Sequence, residues 1–223
     1  MPEAAQRRLR GGGESPKLDN SFQHPIDSAM TPLRALCVYC AASQRTNPRY
    51  RETATLLGRR AAERGIEIVY GGGHVGLMGA LADAALKAGG RVTGVIPEHL
   101  MTRELGHSGV SELVVVESMH ARKLRMFELS DAFAILPGGL GTLDETFEIL
   151  TWRQLEMHDK PIVLLDDGGY WRPLRDLIAH QVAENFVRPE HAAQLHVAED
   201  VDGLFALLDA LPGSREEGET ERF

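Results

Sequence analysis

The sequence predicts an α/β fold, a doubly wound parallel sheet covered by helices on both faces. Three observations carry that expectation. Short apolar runs alternate with longer stretches of helical period from residue 33 to residue 211. The runs are apolar throughout rather than at alternate positions, as strands covered on both sides are. Glycine-rich loops follow two of the runs, at 71–76 and 137–142. Doubly wound, Rossmann-like sheets bind their ligands at the carboxyl ends of strands.

In chain order, the first strand is expected over 33–39. A helix over 48–64 follows, with Asn47 as cap, Pro48 in the first turn and Gly65 as its end. A second strand over 66–70 leads through the first glycine loop into a helix over 77–88, closed by Gly89 and Gly90. A third strand, 91–96, is broken by Pro97. A fourth, 112–116, leads to a helix over 119–129 capped by Ser118. The fifth strand, 131–136, enters the second glycine loop and a helix over 142–157. A sixth strand at 161–165, a helix over 170–185, a short strand at 195–197 and a helix over 201–211 complete the pattern. The segment 1–31 has no apolar period and reads as a flexible N-terminal tail. Residues 32–211 read as a single domain, and 212–223 as a flexible C-terminal tail.

Composition bounds the function. Hydrophobic content of 43% and charged content of 25% over 223 residues suit one globular domain with a full core. Against 32 acidic residues stand 24 Lys and Arg, a net charge of −8, which argues against nucleic acid as a partner. No run is apolar and long enough to span a membrane, and no apolar leader is evident, so a cytoplasmic location is expected. Cys37 and Cys40 form a C-x-x-C inside a strand, where period 2 points them to opposite faces. They are expected to be reduced, buried thiols rather than a redox pair or zinc ligands. The nine histidines show no ligand spacing, so no metal and no cofactor is expected.

The 137–142 loop, Pro137-Gly138-Gly139-Leu140-Gly141-Thr142, joins a strand to a helix start, where free amides and the helix dipole favour an anion such as phosphate. Glu145 has two readings. Thr142-x-x-Glu145 fits a capping box, and equally a carboxylate kept ionised beside a ligand. Arg122 and Lys123 lie at the wrong end of a helix dipole on a partly apolar face, which an anion in the crevice would offset. Gly71, Gly73 and Gly76 with Glu98 outline a dinucleotide fingerprint, but on the second strand rather than the first. Ser43 and Glu104 sit in loops expected to face the crevice. The helix after the second loop carries two apolar stripes, 143/147/150 and 149/152/155, and one of them suits a partner subunit.

These residues resemble the LOG ("lonely guy") family, once labelled lysine decarboxylase-like. Its P-G-G-x-G-T-x-x-E run is present from Pro137 to Glu145, and its Met-His-x-Arg-Lys run as Met119-His120-Ala121-Arg122-Lys123. Its G-G-G-x-x-G-L-M-G loop runs from Gly71 to Gly79, and Thr151-Trp152 and Lys160-Pro161 also fit. The likeness covers about 34–211. It implies a phosphoribohydrolase, in which water cleaves the N-glycosidic bond of a cytokinin riboside monophosphate or AMP to free base and ribose 5-phosphate. Arg122 and Glu145 would be catalytic. Ser43, Gly72, Gly73, Glu104, Lys123, Gly138, Gly139, Leu140, Gly141, Thr142 and Thr151 would bind the nucleoside monophosphate, in a homodimer or larger homo-oligomer. The older label implies pyridoxal phosphate, for which no lysine is well placed. Two departures touch base preference: Cys40-Ala41-Ala42-Ser43 replaces a Cys-Gly-Ser-Ser run, and Asp144 stands where Glu is usual. The alternatives are a nicotinamide-dependent oxidoreductase and a nucleotide-binding protein without catalysis.

Overall fold

The computed structural model describes residues 33–101 and 106–211. Both expected tails and Glu104 lie outside the described residues. The elements are β1 (Ala35–Tyr39), α1 (Pro48–Glu63), β2 (Glu67–Tyr70), α2 (Gly76–Lys87), β3 (Val92–Pro97), β4 (Glu112–Val116), α3 (Met119–Glu128), β5 (Ala132–Ile135), α4 (Leu140–Gln154), β6 (Ile162–Leu165), α5 (Arg172–Ala183), α6 (Pro189–Ala192), β7 (Leu195–Ala198) and α7 (Val201–Ala210).

All seven strands form one parallel sheet in the order β4-β3-β2-β1-β5-β6-β7. The order runs outward from β1 in one direction and then restarts with β5 on its other side. The switch point therefore lies between β1 and β5, where an open parallel sheet leaves its crevice. The two strands are tied at the opposite end, where the Asp131 carboxylate accepts the Arg34 and Ala35 amides at 2.8 and 2.9 Å. Those two bonds fix the register that sets Tyr39 beside Ile135.

Apolar side chains on both faces make two cores. One packs Leu36, Val38, Ile68 and Tyr70 under α1, α2 and α7. The other packs Cys37, Tyr39, Phe133 and Ile135 under α3, α4 and α5. Cys37 and Cys40 fall in different cores, as period 2 requires, and both are buried thiols outside any disulfide. Burial, with Glu145 adding to it, pushes the Cys37 thiol far up, so it stays protonated and inert. The two edge strands, β4 and β7, are the part-exposed ones. β3 runs one residue past its expected end and takes in Pro97 as its last residue. Among the described residues no helix is long and apolar enough to cross a membrane.

Candidate active site

Three loops converge at the switch point. β1 exits through Cys40, Ala41, Ala42 and Ser43, β2 through Gly71, and β5 through the 137–142 loop. Ala41 joins all three: its N–H donates to the Pro137 carbonyl at 3.3 Å, and its carbonyl accepts the Leu77 amide at 3.0 Å. Gly76, at φ 65°, lies against the Ala42 backbone, where a Cβ would stand 2.5 Å from a carbonyl carbon. Between the loops is a cavity of about 260 Å³, with Ser43, Gly71, Arg122, Gly139, Gly141, Thr142 and Glu145 among its lining residues.

α4 begins at Leu140, with Gly139 in the cap position and no side-chain cap. This corrects the capping-box reading. Thr142 is already the third helical residue, so Glu145 lies in the second turn, too far along to reach a cap amide. Its side chain belongs instead to the buried face of α4, with Thr142, Thr146 and Ile149 at helical spacing. The helix starts earlier than the sequence suggests because its first turn tolerates Gly141, with Leu140 left 86% exposed. The amides of that turn have no intrahelical acceptor and border the cavity.

Arg122 is 5% exposed and reaches under the crevice floor. Its Nε donates to the Val95 carbonyl at 3.2 Å and one terminal nitrogen to the Gly71 carbonyl at 2.9 Å. These carbonyls, at the end of β2 and within β3, offset the unfavourable position of a cation in the first turn of α3. A Cβ on Gly71 would collide with the guanidinium, so Gly71 is small to admit Arg122. That accounts for the first glycine of the dinucleotide-like fingerprint without a dinucleotide.

Lys123 is turned the other way. Its ammonium pairs with Asp144 at 3.1 Å and Glu148 at 3.0 Å on α4. Burial pulls its pKa down, but the two carboxylates outweigh this and raise it. Gly138 is held against Thr142, whose side chain fills the place of a Cβ. Gly72, at φ 75°, packs on Ile96 and Leu113, and its carbonyl accepts the His107 amide at 2.9 Å. Gly73 bridges to Gly106. On this side the cavity wall is Gly71. Thr151 donates to the Phe147 carbonyl at 2.7 Å and lines a separate groove between α4 and α5.

Sequence reasoning missed the apolar part of the wall, Cys40, Met78 and Met126. The signal for Cys40 was its place directly after the central strand. For Met126 it was the helix face shared with Arg122 four residues before it, and for Met78 only the fold supplies it. One group of possible metal ligands exists among the described residues: His74, Asp83 and His107, with ligand atoms within 4.8 Å of one another. His107 Nδ1 accepts the Gly109 amide at 3.1 Å, so Nε2 carries the proton and donates to Asp83 at 2.9 Å. A metal on Nε2 would need the opposite tautomer and would cost the Gly109 bond.

Known proteins resemble this chain over most of its described length. A family described as "Possible lysine decarboxylase" matches residues 78–208. A cytokinin riboside 5'-monophosphate phosphoribohydrolase of Rhodococcoides fascians is 46% identical over 176 residues, covering 78% of this chain and 89% of that protein. One of Arabidopsis thaliana is 46% identical over 157 residues, covering 70% of this chain and 73% of that protein. In fold, a molybdenum cofactor binding protein from Rippkaea orientalis superposes with a TM-score of 0.61 at 24% identity, covering 79% of this chain and 96% of that one. With nearly half its residues shared across most of both chains, the chain belongs to the LOG family.

Proposed function

We propose that this protein hydrolyses the N-glycosidic bond of an adenosine 5'-monophosphate, plain or N6-prenylated, releasing the free base and ribose 5-phosphate. The observation that carries this proposal is the placement of Arg122 and Glu145, both buried, in one cavity beside the first turn of α4. The phosphate would sit on the amides around Gly139, Gly141 and Thr142, at the positive end of the helix. The ribose would then lie near Glu145. As the bond from the anomeric carbon to the base nitrogen breaks, positive charge develops on the sugar, and a fixed carboxylate stabilises it. The same carboxylate orients a water, whose oxygen bonds to the anomeric carbon while its proton leaves for the base. Arg122, locked by two carbonyls, supplies a cation that need not reorganise.

Ser43, which lines the cavity, belongs to the same proposal, and Gly72, Gly73 and Glu104 enter it only through the family resemblance. Lys123 enters through its ion pairs, which hold α3 beside α4, and Thr151 does not enter it. The relatives' names support the activity, and neither metal nor cofactor takes part in the chemistry described. A nicotinamide site over 71–76 with Glu98 has less behind it, since Arg122 accounts for Gly71.

The protein is further proposed to be a cytoplasmic homodimer. Phe147, 40% exposed, and Leu150 line a groove with Ile178 and Leu195, and Leu155 and Phe186 stand exposed on the same helical layer at 62% and 85%. A second copy would cover this face.

The test is incubation of purified protein with AMP and with isopentenyladenosine monophosphate, following free base and ribose 5-phosphate by chromatography. Release of both products that stops in Glu145→Ala is the expected result. Equal rates in parent and variant would overturn it.

A further inference from the structure

The turn after β6 reaches across to the 137–142 loop. The Tyr170 hydroxyl donates to the Gly138 carbonyl at 2.7 Å. A trans peptide unit points its C=O and N–H in opposite directions. Holding the Gly138 carbonyl toward Tyr170 therefore aims the Gly139 N–H away from it, and Gly139 lines the cavity.

Tyr170 is itself braced from three sides. Asp166, 5% exposed, accepts the Trp171 amide at 2.6 Å and an Arg175 nitrogen at 3.0 Å. Asp167 pairs with Arg49 and accepts the Thr53 hydroxyl at 2.6 Å, tying the turn to α1. Gly168 and Gly169, at φ 65° and 77°, make the reversal that brings Tyr170 back over the loop. The Tyr170 ring meets Tyr50 edge-on at 5.4 Å and Trp171 at 4.8 Å. An aromatic hydroxyl this well supported is more than a surface contact, although the residue is 37% exposed.

We propose that Tyr170 is a positioning residue for the phosphate end of the substrate, setting the peptide plane that presents the Gly139 amide to the anion. It rests on the proposed function only for the identity of the anion, a sugar phosphate. Loss of one neutral hydrogen bond should weaken anion binding about three- to tenfold.

The experiment compares Tyr170→Phe with the parent, since Phe keeps the ring contacts and removes only the hydroxyl. Calorimetric titration with ribose 5-phosphate and with adenine gives both affinities without turnover. Thermal melting and the steady-state constants for AMP complete the set. The expected result is weaker ribose 5-phosphate binding and a raised KM, with kcat, adenine affinity and melting temperature close to the parent. Unchanged ribose 5-phosphate affinity overturns the proposal, as does a parallel fall in adenine affinity and melting temperature, which would mean general loosening. Failure of the hydrolase reading appears separately, as a parent that binds ribose 5-phosphate but releases no base.

Discussion

Arg122 donates to the Gly71 carbonyl at 2.9 Å, and Gly71 lacks the Cβ that would occupy the guanidinium's place. The glycine after β2 and the arginine of α3 are therefore one structural unit. Gly71→Ala should displace Arg122 while leaving the sheet intact. A shift of about 1 Å in a catalytic group can cost roughly 100-fold in rate. Turnover of AMP should fall by that order with an unchanged circular dichroism spectrum, and retention of full activity would separate Gly71 from Arg122's placement.

Arg122→Lys keeps the charge but not the fork that spans the Val95 and Gly71 carbonyls. The ammonium can satisfy one of them at most while pointing into the cavity. A fall in kcat of about 100-fold is expected, read from initial rates at saturating AMP.

Lys123 spends its charge on Asp144 and Glu148 rather than in the cavity. Lys123→Met should lower stability by about 1–2 kcal/mol, since one carboxylate is largely exposed and the other half-buried. Chemical denaturation measures the loss. KM for AMP should change less than it does in Tyr170→Phe. A large rise in KM with unchanged stability would instead mean that Lys123 holds phosphate.

His158 gives a pH dependence with a definite sign. Burial pushes its pKa from 6.5 to about 4, the Ile149 carbonyl accepts from Nε2 at 2.9 Å, and Nδ1 accepts the Lys160 amide at 3.1 Å. A proton on Nδ1 would face that amide. Between pH 6.5 and 4 the unfolded chain binds a proton that the folded chain refuses, so stability is complete above about 6.5 and drains away as pH falls. The accumulated loss is on the order of 3 kcal/mol. Urea midpoints at pH 7 and pH 5 should differ more in the parent than in His158→Asn.

Phe147→Glu tests the second copy. It places a charge on the groove between α4 and α5 without touching the buried face of α4. Light scattering after size exclusion should show a dimeric parent and a monomeric variant. Identical masses would remove the interface from this face.

Strand identity and order of elements were legible because buried parallel strands are continuous apolar runs, and helix ends differed by up to three residues. One of these shifts was instructive. The start of α4 was read at Thr142, two residues late, and the earlier start leaves Glu145 only the second of its two readings, in the cavity wall. α6 escaped notice because four residues carry no period. At the site, residue types were readable from local pattern: a glycine loop, an acid, two cations. Their partners were not, since Lys123 to Asp144, Arg122 to Gly71 and Tyr170 to Gly138 each join elements distant in sequence. Neighbouring Arg122 and Lys123 look equivalent in the sequence, and only the tertiary contacts send one into the crevice and the other to α4.

Ala41 splices the exits of three strands with two backbone bonds. No single βαβ unit contains the pocket, so it comes into being only when the centre of the sheet has closed. Its formation depends on pairings between segments far apart in the chain. Conversely, fraying of the outer strand β7 leaves β1 and β5 paired and the splice intact. Activity followed during gradual denaturation should persist through local opening at the β7 edge and vanish together with the global transition.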